Sequence, residues 1–66
     1  MVFLKELRVK NNLTMRQVGD AAGISESFYS MIENGERRPS VETAKKIAAV
    51  LGFDWTLFYP DEQKGA

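Results

Sequence analysis

The strongest candidate for chemistry in this chain is a row of short polar side chains between residues 26 and 34. Ser27, Ser30, Met31 and Asn34 follow the i, i+3, i+4, i+7 spacing that places residues on one face of a helix. Hydroxyl and amide groups donate and accept hydrogen bonds, and the methionine offers an apolar contact. This face therefore predicts recognition by hydrogen bonding and close packing rather than catalysis.

Bond-breaking chemistry has few candidates in this sequence. The chain contains no histidine and no cysteine, which removes the commonest general base, the commonest metal ligand and every thiolate. The sequence also lacks a phosphate-binding glycine loop and a cluster of metal-ligand residues. We therefore predict no enzymatic activity, no cofactor, no metal and no small-molecule ligand.

The number and position of the charged residues indicate whether the chain can bind nucleic acid. Nine basic and nine acidic side chains give a formal net charge of zero, whereas a nucleic-acid binder is more often basic. The charges are unevenly spread, because Arg37 and Arg38 are adjacent and Arg16 lies upstream, while Asp61 and Glu62 fall near the end. The three arginines are candidate contacts to a phosphate backbone.

Five helices and no strand are predicted to position these residues, in one domain over residues 1–60 with a flexible tail at 61–66. The first helix is expected from about Phe3 to Asn11. The second begins with the capping box of Thr14 and Gln17 and stops at Gly23. The remaining helices are predicted from caps and stops: Ser25 to Asn34-Gly35, Ser40 to Gly52, and Asp54 to Pro60.

The stretch from Met15 to Asn34 has the features of a helix-turn-helix. Two helices that cross after a short turn must approach closely, and Gly19 provides the small residue midway along the first of them. Gly23 makes the turn. The apolar side chains expected between the helices are Val18, Ile24, Tyr29 and Ile32.

A helix-turn-helix projects the exposed face of its second helix into the major groove of DNA. That face, called the recognition face below, consists of Glu26, Ser27, Ser30, Met31 and Asn34. Serine can donate to or accept from base edges, a glutamate can accept from a cytosine amino group, and a methionine can touch a thymine methyl. Phosphates suit the helix N-termini at Thr14 and Ser25 and the side chains of Arg16, Arg37 and Arg38.

The ordered segments of this chain resemble the lambda-repressor-like (Cro/C1, or XRE-type) family of helix-turn-helix regulators. The resemblance covers nearly the whole chain and is carried by Leu7-Arg8, Leu13-Thr14, Ile24-Ser25, the run from Ser30 to Gly35, Arg38-Pro39-Ser40 and the run from Ala48 to Gly52. It implies an all-α, compact five-helix domain with the helix-turn-helix in helices 2 and 3. It also implies binding to double-stranded DNA, usually as a homodimer.

Carried over by position, the resemblance implies roles for particular residues. Base contacts fall on Glu26, Ser27 and Met31, and phosphate contacts fall on Thr14, Met15, Phe28, Asn34 and Arg38. The family often has a glutamine where Met15 stands, and a thioether cannot reproduce its hydrogen bond to a phosphate. Arg8 and Glu33 resemble a pair that the family joins as a salt bridge between the first and third helices.

The segment after Asp54 predicts the oligomeric state. Trp55, Leu57, Phe58 and Tyr59 are more large apolar groups than one short helix can bury. Some are expected in the core, and the remainder are expected to form a homodimer interface.

The predicted function is that of a sequence-specific transcription regulator. A repressor is favoured over an activator, because the single predicted domain leaves none to sense a ligand or recruit polymerase. We expect the protein in the cytoplasm, since no apolar run is long enough for a membrane span and no secretory signal opens the chain. The alternative, with which the neutral charge is compatible, is a protein-interaction module such as an antitoxin or anti-repressor-like partner.

Overall fold

The computed structural model describes residues 2–59 and is built from helices alone within that range. It contains α1 (Val2–Lys10), α2 (Met15–Ala22), α3 (Glu26–Glu33), α4 (Val41–Leu51) and a short 3-10 helix (Trp55–Phe58). The all-α class and the element order are as predicted. The predicted tail at 61–66, and Pro60 as the end of the fifth helix, lie outside the described residues.

Two predicted elements differ from the structure at their ends. The first helix ends at Lys10 rather than Asn11. Asn12 takes a left-handed φ of 58°, and the side-chain amide of Asn11 donates to the Leu7 carbonyl at 2.7 Å. The fifth predicted helix is a single 3-10 turn, in which the Leu57 amide donates to the Asp54 carbonyl at 3.0 Å. Short helical segments commonly adopt 3-10 geometry.

The caps explain where the other helices start and stop. Thr14 Oγ1 accepts from the Gln17 amide at 3.0 Å, and Gln17 Oε1 accepts from the Thr14 amide at 2.8 Å, which completes the predicted capping box. Ser25 and Ser40 likewise accept from the third residue of α3 and α4. Each such cap stabilises its helix by about 1 kcal/mol.

The core lies along the inner stripe of α4. Ala44, Ile47, Ala48 and Leu51 are buried there at the i, i+3, i+4, i+7 spacing of one helix face. The other elements contribute one or two buried side chains each: Leu4, Val18, Ala22, Tyr29, Ile32, Phe58 and Tyr59. The apolar faces of α1, α2 and α3 are therefore directed inward, and this packing fixes which face of each helix meets solvent.

The turn between α2 and α3 depends on a close approach at Gly19. A Cβ added to Gly19 would lie 3.0 Å from the Ile24 carbonyl oxygen and 3.3 Å from that of Ser25. Gly23 adopts a φ of 75°, and the Ile24 amide donates to the Gly19 carbonyl at 2.9 Å. The start of α3 is thus pressed directly onto the backbone of α2.

We expect Gly19→Val to destabilise the domain by about 1–3 kcal/mol, the usual range for overpacking a tight contact. The added methyl groups would force the Ile24 and Ser25 carbonyls away from α2. The matched control is Ala21→Val at an exposed position of α2, which should cost only roughly 0.5 kcal/mol through helix propensity. Urea unfolding followed by Trp55 fluorescence measures the free energy of unfolding of both variants. Equal losses of stability in the two variants would contradict a close approach at Gly19.

Candidate nucleic-acid interface

Helix α3 has one face in the core and one face in solvent. Tyr29 and Ile32 are fully buried, while the recognition face lies on the other side of the helix. Glu26, Ser27 and Asn34 of that face are exposed, and Ser30 and Met31 are half-buried. The structure therefore brings the five predicted residues together on an accessible strip.

A charged pair ties the end of α3 to α1. Arg8 Nε donates to Glu33 Oε1 at 2.8 Å, and Arg8 Nη2 donates to Glu33 Oε2 at 3.2 Å. The Tyr29 hydroxyl donates to the same carboxylate at 3.1 Å, and Arg8 Nη1 donates to the Leu13 carbonyl at 3.0 Å. The side chains of Arg8 and Glu33 are only 11% and 5% exposed, so each charge is paired with its opposite at a position that little water reaches.

This network shifts the pKa of two of its members. The hydrogen bond to Glu33 raises the pKa of Arg8 above its ordinary value. Burial, followed by the negative charge of Glu33, raises the pKa of the Tyr29 phenol. At neutral pH the arginine therefore stays charged and the tyrosine stays a hydrogen-bond donor.

The predicted phosphate contacts around α2 and the start of α3 fall into two groups. Thr14, Arg16 and Ser25 are exposed. Met15 and Phe28 are half-buried and pack against the core, so their apolar bodies also anchor α2 and α3. The amides in the first turn of α2 and of α3 have no acceptor within the helix, and the cap residue binds only one of them in each case. The unpaired amides give the N-termini of α2 and α3 a partial positive charge.

The loop after α3, called the clamp loop below (residues 35–39), carries Arg37 and Arg38. The amides of Glu36 and Arg37 donate to the Met31 carbonyl at 2.8 and 3.2 Å, and Gly35 takes a φ of 81° to turn the chain back. Both arginines are exposed. The loop that bears them therefore starts from a fixed point on α3, beside the recognition face.

The far end of the clamp loop has a contact that the sequence analysis missed. The Tyr59 hydroxyl donates to the Pro39 carbonyl, and the Arg38 guanidinium lies over the Tyr59 ring, 5.5 Å from its centroid. Pro39 and Tyr59 are both buried. No local pattern signals this contact, because 20 residues separate the two partners.

The predicted dimer residues divide between core and surface. Phe58 and Tyr59 are 2% and 7% exposed, and Phe58 packs against the rings of Phe3 and Phe53. Side chains so buried offer little surface to a second chain, so the proposed dimer interface is left to the more exposed members of the set. Leu57 is 51% exposed, and Trp55 is half-buried with the Lys45 ammonium 5.2 Å from its ring centroid.

The exposed features within residues 2–59 are those of a binding surface. No group of three or more histidine, cysteine, aspartate or glutamate side chains in this range could hold a metal ion. The helices of the same range are too short or too polar to cross a membrane. The arrangement can contact a partner through hydrogen bonds, arginine charges and helix N-termini.

Comparisons with known proteins agree with this geometry. A family model described as helix-turn-helix matches residues 4–58. The uncharacterized HTH-type transcriptional regulator YqaF of Bacillus subtilis is 49% identical over 59 residues, covering 89% of this chain and 78% of YqaF. The HTH-type transcriptional regulator DdrOP3 of Deinococcus deserti is 33% identical, covering 96% of this chain and 54% of DdrOP3. AnsR of Bacillus subtilis is 42% identical, covering 80% of this chain and 44% of AnsR, so the chain spans about half the length of the last two.

A solved structure supports the fold independently. The SinR protein/SinI protein complex contains a chain that superposes with a TM-score of 0.77 at 22% identity, covering all of this chain and 67% of that one. An exposed second helix of a helix-turn-helix is the arrangement by which DNA-binding transcription regulators reach the major groove. This chain belongs to the helix-turn-helix family, of the lambda-repressor-like (Cro/C1-type) kind. Its activity is therefore DNA-binding regulation of transcription and not enzymatic catalysis.

The Arg8–Glu33–Tyr29 network predicts a particular loss of stability in alkali. Tyr29 has a raised pKa in the folded state, so the unfolded chain ionises first, above about pH 10. The stabilisation is complete below that pH and is lost as pH rises, by up to about 1.4 kcal/mol per pH unit. Tyr29→Phe should remove this component.

Urea unfolding from pH 7 to 11, followed by Trp55 fluorescence, measures the effect. At neutral pH, Tyr29→Phe should be less stable than the parent by about 1 kcal/mol, the value of one hydrogen bond. The two stabilities should converge above pH 10. Tyr59→Phe is the control and should retain the alkaline loss due to Tyr29. A difference in stability between Tyr29→Phe and its parent that stays constant at every pH would show that Tyr29 does not cause the alkaline loss of stability.

Proposed function

We propose that this domain represses transcription as a homodimer that reads the DNA major groove with the recognition face of α3. The observation that carries the proposal is the accessible strip on α3, held outward by the Arg8–Glu33–Tyr29 network. The side chains of the strip are mostly short, so the helix can approach base edges closely. Repression requires only that the dimer occupies a promoter, because a bound dimer excludes other proteins from the same DNA.

The proposed base contacts lie along one line of α3. Glu26 is in the first turn, where its carboxylate can accept from a cytosine amino group. Ser27 and Ser30 supply hydroxyls that donate or accept, and Met31 supplies an apolar contact for a thymine methyl. Because serine pairs with several bases, Glu26 and Met31 are proposed to contribute most of the discrimination.

The proposed phosphate contacts flank that line. Helix N-termini at Thr14 and Ser25 offer amides, and Arg16, Arg37 and Arg38 offer charge. Asn34 lies at the end of α3, where its amide is exposed, and Met15 and Phe28 provide apolar walls. Three arginines neutralise few phosphates, so the salt dependence of binding should be modest.

The proposed homodimer rests on the surface of the 3-10 helix. Leu57 is a large apolar side chain that is 51% exposed, and Trp55 lies two residues before it, half-buried. The resemblance to lambda-repressor-like regulators supports a two-fold pairing of such domains. A two-fold dimer would present two copies of α3 to half-sites about 34 Å apart.

We expect the double substitution Ser27→Ala with Met31→Ala to change the DNA sequence that the protein selects, because it removes two of the four proposed base contacts. Both side chains point away from the core, so the free energy of unfolding should change little. The measurement is selection from a random DNA library followed by gel shift on the recovered duplex. The matched control is Val41→Ala with Glu42→Ala on α4, whose positions are also exposed and which should leave the selected sequence unchanged.

Two outcomes would contradict the proposal. One is an unchanged sequence preference in the double variant. The other is the absence of any preferred DNA with the parent protein even at low salt. A stable complex with a partner protein that survives the double substitution would instead favour the protein-interaction module.

We expect Leu57→Glu to convert the dimer to a monomer, because a buried carboxylate opposes burial of the apolar patch. Sedimentation equilibrium measures the mass. The matched control is Val9→Glu on α1, where the parent side chain is 56% exposed. A parent protein that sediments as a monomer, also when bound to DNA, would refute the homodimer.

A further inference from the structure

We infer that Tyr59 is a positioning residue for DNA backbone contact, acting through the clamp loop and Arg38. The inference rests on the proposed function, in which Arg38 binds a phosphate. Tyr59 itself is buried and does not face the DNA. Its effect is to hold Arg38 in a conformation that is ready to bind.

The clamp loop is fixed to α3 at its first residues. The amides of Glu36 and Arg37 both donate to the Met31 carbonyl, and Met31 belongs to the recognition face. The start of the loop therefore moves with the helix that contacts bases. These two bonds anchor the clamp loop on the side that precedes Arg38.

Tyr59 provides the second anchor. Its hydroxyl donates to the carbonyl of Pro39, which follows Arg38 directly. Proline has no amide hydrogen and a fixed φ, so a bond to its carbonyl is an effective way to hold this part of the chain. The backbone on both sides of Arg38 is consequently fixed, on one side by α3 and on the other by the segment after the 3-10 helix.

The Tyr59 ring also orients the Arg38 side chain. The guanidinium lies over the ring at 5.5 Å, a geometry in which the planar group is attracted by the ring face. Stacking uses the face of a guanidinium, whereas a phosphate is bound by its edge, so the two contacts use different sides of the group. Ordering the side chain beforehand lowers the entropy lost on binding, which is the general benefit of preorganisation.

Tyr59 also packs against Trp55 at 6.1 Å and Phe58 at 6.3 Å between ring centroids, so a substitution there can lower stability. A plain loss of affinity would therefore not separate positioning from folding. The salt dependence of binding does separate them, because its slope counts the phosphates that the protein neutralises. A less stable but correctly arranged domain keeps the slope.

The experiment measures fluorescence anisotropy of a fluorescein-labelled, mixed-sequence DNA duplex against salt concentration. Arg38→Gln should reduce the slope of log affinity against log salt by about one. Tyr59→Leu, which removes both the hydroxyl and the ring, should give nearly the same reduction. Tyr59→Phe keeps the ring and should lie between Tyr59→Leu and the parent.

The double variant of Tyr59→Leu with Arg38→Gln should lose no more slope than Arg38→Gln alone. The stability control is Ile47→Val in the core of α4, which should keep the parental slope. A parental slope in Tyr59→Leu, or additive losses in the double variant, would overturn the positioning role alone. A parent protein that binds no duplex would overturn both this role and the proposed function.

Discussion

Arg8 and Glu33 join α1 to α3 through two hydrogen bonds of 2.8 and 3.2 Å, and Tyr29 adds a third to the same carboxylate. The pair fixes the rotation of α3 about its axis, because Glu33 and Tyr29 must both stay on the buried side. That rotation decides which residues form the recognition face. Removing one partner would leave an uncompensated charge near the core, at a cost of about 3–5 kcal/mol for a buried pair. The outward strip is therefore a consequence of an inward ionic contact.

The two ends of α3 are fixed by backbone contacts rather than by long side chains. At its start, Gly19 lets the Ile24 and Ser25 carbonyls rest on α2. At its end, the Met31 carbonyl takes two amides of the clamp loop, and Tyr59 holds the far side of that loop. The result is that α2, α3 and the clamp loop keep one relative arrangement. Such preorganisation matters in a domain whose formal net charge is zero, because little net electrostatic attraction is available to offset the entropy of ordering a mobile interface.

Local features of this fold were predictable, and distant contacts were not. The capping box at Thr14 and the turn at Gly23 each follow from residue types a few positions apart, and both were predicted correctly. The Arg8–Glu33 contact spans 25 residues and was expected only from a family resemblance. The burial of Phe58 and Tyr59, against the exposure of Leu57, depends on how the chain folds back beside α4. Apolar character alone does not distinguish these three side chains, and the Tyr59–Pro39 bond has no sequence signature.

The central claim is that the outward strip of α3 is the surface that meets DNA. Amide chemical-shift perturbation on the nitrogen-15-labelled domain, titrated with its selected duplex, tests that claim most directly. The largest shifts are expected along residues 26–34, with further shifts at the N-terminus of α2 and in the clamp loop. Shifts confined to the 3-10 helix and the outer face of α4, with the amides of Ser27, Ser30 and Met31 unchanged at saturation, would contradict it.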